Sequence, residues 1–214
     1  MSVLSPIFIA PNSYAHQHRL KSFGNFISQE EFEIASKQTD SPSALVIFIG
    51  GFCDSFSRGI FNAFYLFQHQ FFWKFYITFN GRSYFMPLIQ ECSQTNLPLF
   101  VIAHSWGANE LLIALQKKQS CLIHYLLTLD AVGYRPILHR PTGIQYWENI
   151  FVHNHWTLIN RANIAALIGH AKKNIALADC NTPIYAPFHH NSIHAMLNAS
   201  KLQSKIIEYS SSTI

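Results

Sequence analysis

A serine with small flanking residues stands near the middle of the chain, in the segment Ala103-His104-Ser105-Trp106-Gly107. It lies between the apolar run 99–102 and a helix-like run that ends at Lys118. A serine at such a turn is held exposed at the carboxyl end of a strand, beside the free backbone N–H groups that begin a helix. There its hydroxyl group is suited to nucleophilic acyl transfer, if a histidine base reaches it. The alternative role for Ser105 is that of a helix N-cap.

Acyl transfer at serine also requires an acid that orients the histidine. Asp130 directly follows the apolar run 126–129, which predicts a strand. Asp130 should therefore lie at the same carboxyl edge of the sheet as Ser105, where catalytic groups of open α/β sheets collect. An aspartate at a strand end is also a common loop-capping residue. Asp179 is the rival acid, because it lies nearer in sequence to the last histidines.

The base must be chosen among twelve histidines. In chains with this kind of serine turn, the acid and then the histidine follow the serine in sequence. This order favours His190, with His189 and His194 as alternatives. His190 and His194 are spaced as a metal-binding pair would be, but no carboxylate motif accompanies them, and we expect no metal. We expect His104 to pack beside the nucleophile and to contact the substrate. By default, the following are surface or core residues: His124, His139, His153, His155 and His170.

Acyl transfer further requires N–H donors for the oxyanion. The N–H of Trp106, directly after the nucleophile, is the first candidate, and the second donor should come from the loop after the strand Ala44–Ile49. We favour the N–H of Phe52 in that loop, with Cys53 as the second choice. Gly51 lets the backbone approach a substrate closely, so we also place Gly51 and Cys53 at the substrate. A plain tight turn is the alternative for this loop.

Apolar runs alternate with helix-like segments along the chain, which predicts an α/β fold with a mostly parallel central sheet between helix layers. The predicted strands are 7–10, 32–36, 44–49, 75–79, 99–103, 123–129 and 147–152, and the predicted helices are 58–71, 82–94, 107–118 and 191–207. We expect one domain over residues 1–214, with residues 1–40 as an N-terminal extension. The loop 134–146 should overhang the site and, with the aromatic residues of 59–79, form an apolar acyl pocket.

Composition excludes several classes of function. The net charge of +4 comes from scattered basic residues, so nucleic-acid binding is not expected. The four cysteines form no CxxC pair, which argues against a zinc site or a dense disulfide framework. The first residues lack the basic region of a signal peptide, so we expect a cytoplasmic location, with non-classical export left open. Polar residues interrupt the most apolar window, 59–79, so no membrane-spanning segment is expected.

Four blocks of the chain, in order between about Ala44 and Leu197, resemble small bacterial α/β-hydrolase-fold serine hydrolases of the esterase and lipase type. The first three blocks are Ile47-Phe48-Ile49-Gly50-Gly51 through Asp54, the segment 103–107 quoted above, and Leu127-Thr128-Leu129-Asp130-Ala131-Val132. The fourth block has two parts, Ala178-Asp179-Cys180-Asn181 and His190-Asn191-Ser192-Ile193-His194-Ala195-Met196-Leu197. The chain departs from the family at Ala103, where glycine is usual, and at Ala131, where proline is usual. The resemblance implies Ser105, Asp130 and His190 as the catalytic residues.

The residues and the resemblance together predict a serine hydrolase that cleaves a carboxylic ester or thioester and needs no cofactor. The substrate would be a small molecule or a lipid with an acyl group. Two alternatives are a hydrolase fold that has lost turnover and serves as a binding module, and a lipase effector that acts on membrane lipids. Nothing in the chain indicates its oligomeric state.

Overall fold

The computed structural model describes residues 8–9, 42–52, 54–69, 72–117, 121–157 and 160–211. The strands of these residues are β1 (Phe8–Ile9), β2 (Ala44–Ile49), β3 (Phe72–Ile77), β4 (Leu99–His104), β5 (Ile123–Leu129), β6 (Ile144–Val152) and β7 (Cys180–Ile184). The helices are α1 (Asp54–Ser57), α2 (Gly59–Leu66), a 3-10 helix (Phe79–Tyr84), α3 (Phe85–Ser93), α4 (Ser105–Lys117), α5 (Arg161–Ile168), α6 (Ile193–Ala199) and α7 (Leu202–Ser211).

The strands form one sheet in the order β1-β3-β2-β4-β5-β6-β7, and every neighbouring pair is parallel. The α/β class that the sequence predicts is therefore confirmed. The chain leaves β2 towards β3 on one side and returns to place β4 on the other side. Open parallel sheets bind ligands outside the carboxyl ends of the strands at such a change of direction. The ends of β2 and β4 carry Gly50-Gly51 and Ser105.

Helices cover both faces of the sheet, because its central strands are apolar on both sides. Val46 and Phe48 of β2 join one core, which contains buried residues of α2, α6 and α7. Leu45 and Ile47 join the opposite core, against α3 and α4. All six residues of β2 and all six of β4 are buried. This burial explains why these strands are continuous apolar runs in the sequence.

Several predicted boundaries are wrong. The predicted helix 58–71 ends at Leu66, where the Nζ of Lys74 donates to the carbonyl groups of Phe64 and Phe67 and so satisfies the helix end. The predicted strand 75–79 runs from Phe72 to Ile77, and a 3-10 helix occupies the start of the predicted helix 82–94. The strand predicted at 147–152 begins at Ile144, within the expected loop. A further strand, β7, comes later in the chain and was not expected.

The closing helix predicted over 191–207 is two helices, α6 and α7. They are separated at Ser200, whose hydroxyl group donates to the carbonyl of Leu197 and accepts the N–H of Leu202. The helix α5 was not predicted. The predicted strand 32–36 lies outside the described residues.

None of the helices in the described ranges combines the length and the apolar composition needed to cross a membrane. Within the same ranges, Cys92 and Cys180 are free thiols. Cys53 lies outside the described residues, so its expected place at the substrate is not described.

Candidate active site

Ser105 lies at the junction of β4 and α4, with a backbone φ of 56°. A positive φ is uncommon for a non-glycine residue, and a strained serine between a strand and a helix is typical of the nucleophile elbow of hydrolases. The turn is tight enough to require glycine on two neighbouring segments. A Cβ on Gly51 would lie 2.6 Å from the Cβ of Ser105, and a Cβ on Gly107 would lie 2.3 Å from the carbonyl oxygen of Gly50.

A chain of hydrogen bonds joins Ser105, His190 and Asp130. The Nδ1 of His190 lies 2.6 Å from Oδ2 of Asp130, so its N–H donates to this carboxylate. The Nε2 of the same ring is then free to accept the hydroxyl group of Ser105, at 2.9 Å. All three side chains are buried. The structure thus brings together the three residues that the sequence places 25 and 60 positions apart.

Asp130 holds a second histidine that the sequence did not single out. The Nε2 of His155 lies 2.7 Å from the same Oδ2 atom, while Oδ1 accepts the N–H of Val152 at 3.0 Å. His155 is 1% exposed, and its Nδ1 has no hydrogen-bond partner in the described part of the chain. The carboxylate therefore receives two imidazole N–H groups and one backbone N–H group.

Asp130 stays ionised because of these donors. Complete burial alone would raise the pKa of Asp130, but the hydrogen bonds from His155 and His190 outweigh it and hold the pKa well below the usual range. The backbone of Asp130 also has a positive φ, 41°. The turn that follows is linked to the serine turn, since the N–H of Val132 donates to the carbonyl of Ser105 at 3.0 Å.

The backbone of His190 is held on both sides. Its carbonyl oxygen lies 2.9 Å from Nε2 of His104, and its N–H donates to Oδ1 of Asn163 at 2.8 Å. The two imidazole rings are 4.7 Å apart. Burial lowers the pKa of His104 to about 3, with a smaller contribution from the charge of His190. His104 is therefore neutral near pH 7, and its Nε2–H is the donor to the carbonyl group of His190.

The two residues expected to supply the oxyanion donors, Phe52 and Trp106, both lie at the site. The rings of Phe52 and Trp106 are 5.6 Å apart, and both residues line the same cavity. Trp106 is in the first turn of α4, where backbone N–H groups have no acceptor within the helix. Neither of the two N–H groups donates to an acceptor in the described ranges. Both are available for a ligand oxygen.

A cavity of about 500 Å³ opens at Ser105. Its wall is formed by the loop after β2, the serine turn, the first half of α5 and the His190 loop; the lining residues are Phe52, Asp54, Ser57, His104, Ser105, Trp106, Val132, Arg161, Ala162, Ala165, His190 and Asn191. The loop 134–146 contributes none of these described lining residues, so the expected overhang is wrong. That loop starts at the site, where Tyr134 packs on Trp106, but leads to the opposite edge of the sheet, where β6 begins.

The rival residues lie elsewhere. Asp179 is paired with Arg140, and their N···O distance is 2.7 Å. It also accepts the N–H of Trp147 rather than a histidine. His194 is exposed, and Nδ1 of His189 accepts the N–H of Asn191. The structure therefore brings Asp130 and His190 together with Ser105, and places Asp179, His189 and His194 in other contacts.

The group Asp130, His155 and His190 also has the composition of a metal site, since its ligand atoms lie within 4.8 Å of one another. Its distances fit hydrogen bonds better. Two ligands on one tetrahedral zinc ion, each at about 2.0 to 2.1 Å, would be roughly 3.3 Å apart. The N···O distances of 2.6 and 2.7 Å are shorter and are those of charge-assisted hydrogen bonds.

Three contributors to the site were missed in the sequence: His155, Asn163 and α5. His155 had a usable signal, because it follows a strand end and must lie at the same edge of the sheet as Asp130. Asn163 has no sequence signal that distinguishes it from an ordinary surface asparagine. Asn160, whose side chain accepts the N–H of Asn163, is an N-cap that marks the start of α5.

Comparison with known proteins adds no family: no family model matches the chain, and no match was found among curated proteins or solved structures. The resemblance to small bacterial serine hydrolases therefore stays a prediction.

Proposed function

We propose that this protein is a serine hydrolase of the α/β-hydrolase type that cleaves a carboxylic ester or thioester. The observation that carries the proposal is the hydrogen-bonded series from Ser105 through His190 to Asp130, with Ser105 at a positive φ between a strand and a helix. A helix N-cap does not require a neutral imidazole acceptor at 2.9 Å, whereas a nucleophile does.

In the first half of the reaction, Oγ of Ser105 attacks the acyl carbon while its proton moves to Nε2 of His190. The negative charge of Asp130 stabilises the imidazolium that forms and keeps the ring in the tautomer that accepts this proton. The N–H groups of Trp106 and Phe52 donate to the oxyanion of the tetrahedral intermediate. His190 then gives its proton to the departing alcohol or thiol, and an acyl-serine remains.

Water completes the cycle by the same route. His190 removes a proton from the water molecule as its oxygen attacks the acyl carbon, and a second tetrahedral intermediate forms. The bond to Oγ then breaks, and Oγ recovers the proton from His190. The products are the carboxylic acid and the free enzyme, so no oxidant, metal or cofactor is consumed.

Ser105→Ala tests the proposal. We expect wild-type protein to hydrolyse p-nitrophenyl butyrate and to be labelled by a fluorophosphonate probe. The variant should lose labelling and about 10³-fold or more of kcat/KM, because the members of such a triad act as a unit. Ser57→Ala is the matched control, since Ser57 lines the same cavity but is exposed. It should keep both labelling and turnover.

The same experiment distinguishes the inactive binding module. A hydrolase fold without turnover would leave wild-type protein unlabelled, because only an activated serine reacts with the probe. Labelling that persists in Ser105→Ala would show that the nucleophile lies elsewhere. Equal urea unfolding midpoints for wild type and variant would establish that the loss of activity is not a loss of fold.

A further inference from the structure

The ionisable groups on the cavity wall differ in how free they are to bind a ligand. Two lining residues besides the histidines carry ionisable groups, Asp54 and Arg161. The carboxylate of Asp54 is already engaged, since it accepts the backbone N–H groups of Ile60 and Phe61 and the hydroxyl group of Tyr76. Asp54 is 2% exposed and serves to hold the start of α2 against β3. It has little capacity left for a ligand.

Arg161 differs from Asp54 in both respects. It is exposed, and within the described residues its side chain makes no hydrogen bond or ion pair. A guanidinium group presents five N–H donors in a planar fork that matches a carboxylate or a phosphate. Such a group on the wall of a substrate cavity is available to an anionic ligand.

The position of Arg161 on α5 places this charge at one end of an otherwise small-residue surface. Arg161 and Ala165 are one turn apart on the helix, and Ala162 lies beside them. All three line the cavity, and the two alanines leave room between α5 and the serine turn. Trp106 and Val132 add apolar side chains to the lining. The cavity thus has an apolar part near Ser105 and a cationic end at the start of α5.

We infer that the substrate is an ester or thioester that carries a second, anionic group, a carboxylate or a phosphate, and that Arg161 binds this group. The inference rests on the proposed hydrolase function, because the ester is cleaved at Ser105. Asn191 lines the same cavity and adds a neutral polar group. Arg161 is thus a specificity-determining residue, and its charge selects among esters that Ser105 otherwise attacks alike.

The experiment compares matched esters in wild type and Arg161→Gln. For an anion on the acyl side, the pair is mono-p-nitrophenyl adipate and p-nitrophenyl hexanoate. For a phosphate on the alcohol side, the pair is 1-butyrylglycerol 3-phosphate and monobutyrin. We expect wild type to prefer the anionic member of at least one pair by about tenfold in kcat/KM, as one charge-assisted contact provides. The preference should fall with salt, because this charge is exposed.

Arg161→Gln should remove the preference, so that the ratio of kcat/KM between the anionic and the neutral ester of the pair falls to about one. Arg135→Gln is the matched control, because Arg135 carries the same charge, is paired with Glu110 and is not among the lining residues. It should keep the preference. Equal rates on anionic and neutral esters in wild type, or a preference that survives in Arg161→Gln, would overturn the inference while the hydrolase function stood. If wild type cleaves none of the four esters and Ser105 is not labelled by fluorophosphonate, the proposed function fails first.

Discussion

His155 offers the sharpest test of how the site is held together. Replacing it by alanine removes one of the three N–H donors to the buried carboxylate of Asp130. A hydrogen bond to a charged group contributes roughly 1.5 to 3 kcal/mol, and an unfilled space in the interior adds to the loss. We therefore expect the free energy of unfolding of His155→Ala to fall by about 2 to 4 kcal/mol, measured by urea titration at pH 7.5.

The same substitution should change the pH dependence of activity. His155 and His190 both donate to Oδ2, so without His155 this oxygen interacts more strongly with His190. The acid limb of the kcat/KM profile should therefore move to higher pH in the variant. Stopped assays with p-nitrophenyl butyrate between pH 5 and 9 measure this limb.

A purely structural role for His155 gives a different pair of results. The variant would then lose stability, but its acid limb would coincide with that of wild type. That outcome would refute the argument that the second imidazole tunes the acid. His153→Ala is the matched control, because His153 is exposed at the end of the same strand and packs on Tyr185 rather than on Asp130. Its profile should match that of wild type.

Two further predictions concern the surroundings of Ser105. Burial lowers the pKa of His104 to about 3 in the folded protein, whereas the pKa is about 6.5 in the unfolded chain. The stabilisation that depends on neutral His104 is therefore complete above pH 6.5, and it is lost as the pH falls towards 3. Wild type should lose up to about 1.4 kcal/mol per pH unit more than His104→Asn between pH 6 and 4, as urea unfolding will measure; parallel curves would contradict this. Gly107→Ala should destabilise the fold by about 1 to 3 kcal/mol, because its Cβ would lie 2.3 Å from the carbonyl oxygen of Gly50. Alanine has a higher helix propensity than glycine. A gain in thermal stability would therefore contradict the prediction, since it would show that small shifts of the neighbouring backbone remove the close contact.

The sequence predicts the centre of the sheet well and its margins poorly. Strands β2 and β5 have the predicted limits, since both faces are buried and every residue must be apolar or paired. The strand β7, Cys180–Ile184, has no apolar run, because it lies at the edge of the sheet and four of its five residues are only half-buried. Pro183 also argues against a strand in the sequence, although proline is accepted in edge strands.

The candidate site follows the same division. Ser105 and Asp130 are candidates from the sequence because the carboxyl ends of parallel strands must meet and because the serine turn has a recognisable pattern. His190 is the candidate base because the histidine follows the acid in chains with such a turn. Asn163 is not a candidate from the sequence, since its role depends on a distance that no spacing along the chain reveals. His155 follows a strand end, which places it at the same edge of the sheet as Asp130, but this position alone does not show which carboxylate it contacts. His155 reaches Asp130 from the turn after the neighbouring strand, and Asn163 reaches His190 from a helix whose own pattern is weak.

The bond from Val132 N–H to the carbonyl oxygen of Ser105 joins the two turns through main-chain atoms alone. Amide and carbonyl groups of the backbone are present whatever side chains the neighbouring positions carry. The distance between the Ser105 hydroxyl group and the Asp130 carboxylate should therefore not depend on which side chains line the cavity. Laboratory evolution of residues such as Ala162 or Ala165 should consequently reshape substrate choice while the reactive groups keep their alignment.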